Sequence, residues 1–208
     1  MRVMWEEGTK KRSGANVSTG IVVIDIQNDY FPGGAYPLTG SLSAAVIARG
    51  VLDMARTIGT PIMHFQHLAT EPDATFFVPG TAGAEIYPLV APVATERHLT
   101  KGSPNAFIGT GLEQLLRDED IEHLVIMGMM SSMCIDATAR AALDLGFLVT
   151  VVHDACAAPD FEFQGTEVPG AFVQAAFMAA LCDAGAEVLA AADLDLELDF
   201  DFDQIPAH

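Results

Sequence analysis

The sequence predicts an α/β fold organised around a largely parallel sheet. Three observations carry that prediction. Short, β-branched, almost continuously apolar runs recur along the chain, as in "GIVVIDIQ" and "HLVIMG". Such runs suit strands buried on both faces, as in a parallel sheet. Longer segments with helical apolar spacing alternate with them, and clusters of Gly, Pro and Asn separate the two kinds.

Taken in order, Gly20–Gln27 is the first buried strand, and "NDYFPGG" turns the chain. "SLSAAVIARGVLDMARTIG" reads as a helix with Ser41 as its cap. "PIMHFQHL" is a second strand, and "VATERHLTK", ending at Lys101, a short third. "GTGLEQLLRDEDI" is a helix with Thr110 as cap, and His123–Gly128 is the next buried strand. A helix from about Ser132 to Leu145, the strand "FLVTVVHDA", a helix over "VPGAFVQAAFMAALCDAG" closed by Gly185, and the strand "AEVLAA" complete the alternation.

The 208 residues, half of them hydrophobic, suffice for one domain with a substantial core. Residues 1–19 read as a flexible polar leader without the apolar region of a secretory signal, 20–192 as the domain, and 193–208 as a tail. The tail's "DLDLELDFDFD" alternates acid and apolar; an edge strand and a disordered acidic tail both fit. A formal charge of −18 argues against nucleic-acid partners, which demand clustered Lys and Arg. No apolar stretch approaches the roughly 18 residues of a membrane span. Three widely spaced cysteines with no CxxC pattern indicate free thiols in a reducing cytoplasm, with Cys156 and Cys182 read as buried packing groups.

Ligands of parallel α/β sheets bind outside the carboxyl ends of the strands. Asp25, Lys101 and Cys134 all fall at such positions. A thiol attacks best as thiolate, and the start of a helix lowers its pKa. Cys134 is placed for that, Asp25 can take its proton, and Lys101 can hold the charges in place. The loop "GMMSS" before Cys134 supplies backbone N–H groups for an oxyanion.

The segments "VVIDIQNDYFPGGA", "LTKGSPNAFIGTGL" and "VIMGMMSSMCIDATARAALDLGFLVTVVHDACA" resemble the isochorismatase-like cysteine hydrolase family, with Asp, Lys and Cys in order. The likeness spans roughly residues 20–192. It implies a three-layer, Rossmann-like isochorismatase fold, with a six-stranded, mostly parallel sheet flanked by helices, assembled into homodimers or homotetramers. It further implies Asp25 as general base, Lys101 as orienting cation and Cys134 as nucleophile, attacking a C–N bond of an amide, carbamoyl, ureido or lactam group through a thioester. A cis peptide at Met129–Met130 and an oxyanion hole from the Met130 and Cys134 N–H groups belong to the same expectation. Tyr30 matches an aromatic of the family's pocket; Phe31, in the loop Tyr30–Thr39, is a candidate to line it too, and Met129, shortly before Cys134, either lines a soft pocket wall or fills core space.

Nicotinamidases within this family hold a metal with an Asp-x-His pair after the second strand. Here "MHFQHLATEPDATFF" offers His64 and His67 without that pair, and a separation of three puts them on opposite faces of a strand. Both read as hydrogen-bonded strand histidines, so no metal and no cofactor is expected. Isochorismatases proper generally lack the cysteine, so Cys134 argues against vinyl-ether cleavage. The loops Tyr30–Thr39 and Thr70–Pro92, aromatic and apolar with few charges, favour a small, neutral or weakly polar substrate over a polyanion. Two rival readings are a metal-dependent nicotinamidase-type amidase using His64 or His67, and a catalytically silent scaffold on the same fold.

Overall fold

The computed structural model describes residues 17–196. The leader up to residue 16 and the tail from 197, with most of its acid–apolar alternation, lie outside the described residues.

Six strands form one sheet in the order β3-β2-β1-β4-β5-β8, every neighbouring pair parallel. They are β1 (Thr19–Ile24), β2 (Ile62–His67), β3 (Arg97–Lys101), β4 (His123–Met129), β5 (Leu148–Ala157) and β8 (Glu187–Leu189). The sheet is therefore fully parallel rather than mostly so. The β1 and β4 runs are apolar throughout because both faces are covered. Ile21 and Val23 of β1 face one core and Val22 and Ile24 the other, the period-two alternation of a strand.

Helix α1 (Ser41–Ile58) covers the first face with Ala44, Ala48, Val51 and Leu52. Helices α2 (Leu112–Asp118), α3 (Asp136–Asp144) and α4 (Gly170–Asp183) cover the second, through Leu112, Leu116, Ala139, Met178 and Leu181. Ser41 is the first residue of its helix, and left-handed Gly40 holds the cap position. Thr110 sits one residue before the α2 cap and accepts a hydrogen bond from the Leu112 N–H at 3.2 Å. A hairpin absent from the sequence reading, β6 (Phe161–Phe163) with β7 (Thr166–Val168), follows β5. No helix among the described residues is long and apolar enough to cross a membrane.

The chain winds from β1 outward to β3, then returns to β4 on the other side of β1. The reversal opens a crevice at the carboxyl ends of β1 and β4. Gly128 sets how close those ends come. It has φ +134°, and a Cβ there would overlap the Ile24 carbonyl oxygen of β1.

Candidate active site

Asp25 directly follows β1 and takes a left-handed backbone, φ 51°. Asp tolerates that region at a cost of about 1 kcal/mol. Its N–H donates to the Phe65 carbonyl at 3.1 Å and its carbonyl accepts from the Gln27 N–H at 2.9 Å, so the turn is locked from both sides. Lys101 ends β3 and His67 ends β2, and the two are register partners. Cys134 comes after β4, in a π-helical turn over Ser131–Ile135 that precedes α3. The Met133 and Ile135 N–H groups both return to the Met130 carbonyl, at 3.1 and 3.2 Å, and the Met129–Met130 peptide is cis.

The structure brings Asp25, Lys101 and Cys134 together. Lys101 Nζ lies 2.7 Å from Asp25 Oδ2 and donates to Cys134 Sγ at 3.3 Å and to the Ser103 carbonyl at 3.0 Å. The Asp25 and Lys101 side chains are both fully buried, and Cys134 is 4% exposed. An ion pair this deep is held by Coulomb attraction that water does not screen. Asp25 Oδ1 and Ser132 Oγ have no hydrogen-bond partner among the described residues.

The expected depression of the thiol pKa is not what this environment produces. Burial is the largest influence and pushes the Cys134 thiol up. The Asp25 carboxylate pushes the same way, and Lys101 opposes them. Cys134 therefore rests as a protonated thiol beside a carboxylate. The first turn of α3 begins at Asp136, two residues beyond Cys134.

His67 was set aside in the sequence as a structural histidine, yet its Nδ1 stands 3.0 Å from Lys101 Nζ and 3.8 Å from Asp25 Oδ2. His64 does fit that reading: it is 1% exposed and pairs with Glu96 Oε2 at 2.9 Å. Ligand-type atoms of Asp25, His67 and Cys134 fall within 4.8 Å of one another, a set that could hold a metal ion. The Lys101 ammonium already contacts all three, so a cation of the protein's own occupies their centre.

Tyr30 is 1% exposed, and its phenol pKa is raised by burial first, then by Cys134 and Asp25. It is thus a neutral hydroxyl within electrostatic reach of the site. Phe31, at 3% exposure, stacks on Tyr87 with ring centroids 3.6 Å apart, and Met129, at 0%, packs in the core under α1. Both are core residues in this structure rather than an open pocket wall. Phe76, Phe77 and Tyr36 instead form an aromatic wall beside Tyr30, and Phe77 reaches His67 at 5.7 Å between centroids.

Two further residues escaped the sequence reading. Asp29 accepts from the Phe77 N–H at 2.7 Å and the Ala35 N–H at 3.1 Å, tying both loops to the crevice. Gln27 brackets the His67 backbone, donating to its carbonyl at 2.9 Å and accepting from its N–H at 2.7 Å. In sequence both look like ordinary turn residues. Of the other thiols, Cys156 is buried and pushed up to about 12, chiefly by desolvation, whereas Cys182 is exposed on α4, contrary to expectation.

A cavity of about 270 Å³, lined by His67, Glu71, Asp73, Phe76 and Phe77 among others, lies at the end of β2 and the loop that follows it. A second, of about 400 Å³, is lined by Lys101, Ser103 and Ile108 among others.

The isochorismatase domain matches residues 19–193 of the chain. An uncharacterized isochorismatase family protein, YddQ of Bacillus subtilis, is 44% identical over 165 residues, covering 79% of this chain and 92% of that protein. A solved isochorismatase-family hydrolase from Oleispira antarctica superposes with a TM-score of 0.81 at 43% identity, covering 89% of this chain and 98% of that one. Streptothricin hydrolase of Streptomyces noursei is 36% identical over 140 residues, 67% of this chain but 50% of that protein. The chain belongs to the isochorismatase family of hydrolases.

Proposed function

We propose that this isochorismatase-family chain is a cysteine amidohydrolase that cleaves a C–N bond of a small molecule. The observation that carries the reading is the buried contact of Lys101 Nζ with both Asp25 Oδ2 and Cys134 Sγ, at 2.7 and 3.3 Å. A purely structural core would replace such a pair by apolar side chains at little cost. The relative named streptothricin hydrolase lends the reading weight at 36% identity.

Because burial holds Cys134 as a thiol, attack and proton removal occur together. Sγ bonds to the substrate carbonyl carbon as its proton passes to the Asp25 carboxylate, and the carbonyl electrons move onto oxygen. The Met130 and Cys134 N–H groups are the donors for that oxyanion. Collapse breaks the C–N bond, with the Asp25 proton going to the departing nitrogen. Asp25 then takes a proton from water, which adds to the thioester, and returning that proton to sulfur releases the acid. The Lys101 ammonium, in contact with both Asp25 and Cys134, offsets the negative charge at each stage.

Glu71 and Asp73 on the cavity wall, and the net charge of −18, favour neutral or cationic substrates over anions. Assembly with a second copy belongs to the same proposal. Phe172, Ala175, Ala176 and Ala179 form an uncharged exposed patch on α4, whose exposed acid, Asp183, stands at its last residue, on an otherwise acidic molecule.

A panel of amides, ureido compounds and lactams, assayed for amine or ammonia release, tests the reading. Turnover by the wild type that disappears in Cys134→Ala supports it. Equal turnover in both proteins defeats it.

A further inference from the structure

His67 stands between the larger chemistry and the solvent. Its Nδ1 accepts a hydrogen bond from the Lys101 ammonium at 3.0 Å, so in neutral form the ring carries its proton on Nε2. An imidazole directs its two nitrogens to different sides. With Nδ1 turned toward Lys101, Nε2–H is directed away from it, and the ring lines the 270 Å³ cavity. The side chain is 19% exposed, and Nε2 has no hydrogen-bond partner among the described residues. Burial first, then Lys101, lowers the His67 pKa, which keeps the ring neutral near pH 7.

The ring is held rather than merely accommodated. Gln27 grips its backbone on both sides, and Phe77 packs at 5.7 Å from its centroid. The Phe77 N–H is in turn fixed by Asp29 Oδ2 at 2.7 Å. Such support is what a group aimed at a ligand requires. A donor on a ring that lines a cavity whose wall includes Glu71 and Asp73 meets a neutral acceptor in preference to a carboxylate, which those acids repel.

We propose that His67 is a fourth working member of the site, with two separable tasks. Through Nδ1 it positions the Lys101 ammonium between Asp25 and Cys134. Through Nε2–H it binds a second, uncharged acceptor on the substrate, a ketone or amide oxygen beyond the scissile carbonyl. The second task rests on the amidohydrolase reading, and the first does not.

The two tasks divide between two substitutions. His67→Asn keeps an acceptor where Nδ1 was and loses the far donor. His67→Gln keeps a donor where Nε2 was and loses the near acceptor. With a substrate bearing the second carbonyl, His67→Asn raises KM about tenfold with kcat nearly unchanged, the scale of one hydrogen bond. His67→Gln lowers kcat about tenfold with KM nearly unchanged, and His67→Ala shows both losses. A substrate without the second carbonyl shows no KM difference between wild type and His67→Asn. Equal losses in the Asn and Gln variants, or none in His67→Ala, overturn the proposal.

A second arm needs no substrate. In a Cys182→Ser background, the rate of Cys134 alkylation by iodoacetamide changes several-fold in His67→Gln, because Lys101 is released, and stays near wild type in His67→Asn. Identical rates in all variants defeat the positioning task even if the amidohydrolase reading stands. If instead this arm behaves as stated while no amide is hydrolysed, the functional reading fails and the positioning task stands.

Discussion

At the amino end of the sheet, His123 is 5% exposed and lies between Thr19 Oγ1 at 3.0 Å and Thr150 Oγ1 at 2.8 Å. Thr150 also donates to Glu187 Oε2 at 2.9 Å. Burial drives the His123 pKa down to about 4, so this histidine answers desolvation by staying uncharged. At the carboxyl end, Asp25 and Lys101 form an ion pair at 2.7 Å, and burial pushes the Cys134 thiol up. One carboxylate oxygen there is left without a partner. The same strands thus bury polar groups in two ways: neutral and mutually satisfied at one end, charged and incompletely satisfied at the other. Incomplete satisfaction costs stability and leaves those groups free to meet a ligand, as the proposed function requires.

The largest effect that sharpens this contrast is at the nucleophile. Cys134→Ala is expected to lower kcat by at least about 10³-fold with an unchanged far-ultraviolet circular dichroism spectrum and little change in Tm. Next comes the ion pair. Asp25→Ala strands the Lys101 ammonium in the core and should cost about 3–5 kcal/mol in urea unfolding, whereas Asp25→Leu with Lys101→Met should recover most of that loss. Failure of the double variant to recover would mean that the pair stabilises the fold on its own account.

The amino end gives a smaller, pH-dependent effect. The folded pKa of His123, about 4, lies below the unfolded value of about 6.5. The unfolded chain therefore binds the extra proton between those values, and the stability that neutral His123 contributes is present above pH ~6.5. It is lost as pH falls toward 4, by about 2–4 kcal/mol in all. His123→Gln should flatten the dependence of Tm on pH over that window, and an unchanged slope would break the comparison. The smallest effect concerns the thiols. Exposed Cys182 should alkylate first at pH 8, ahead of buried Cys134 and Cys156, as peptide mapping after a short iodoacetamide pulse would show.

The strands were legible in the sequence where both faces are buried. β1 and β4 read correctly because every residue between Gly20 and Ile24, and every residue of His123–Met129, is buried and the pattern is unbroken. Asp25, Lys101 and Cys134 were legible because strand ends mark where such sheets bind ligands. His67 was not, since its meaning depends on β2 lying beside β3 in one register, His67 against Lys101, which no local pattern encodes. The thiol's protonation was misjudged because helix position can be read from sequence, while burial and the distance to Asp25 cannot. Hairpin β6–β7 was missed because its three-residue strands are mostly exposed and carry no apolar period. Cys182 reads as buried in the sequence because α4 is apolar on nearly every face, and a helix of that kind does not reveal which side meets the sheet.

The most direct measurement is intact-mass spectrometry of the acid-quenched protein after brief mixing with an activated acyl ester, followed by peptide mapping. The expected result, in a Cys182→Ser background that removes the exposed thiol, is one acyl adduct on Cys134, decaying with time and missing when Cys134→Ala is added. Hydrolysis that proceeds with no adduct, and equally well in Cys134→Ala, would contradict it.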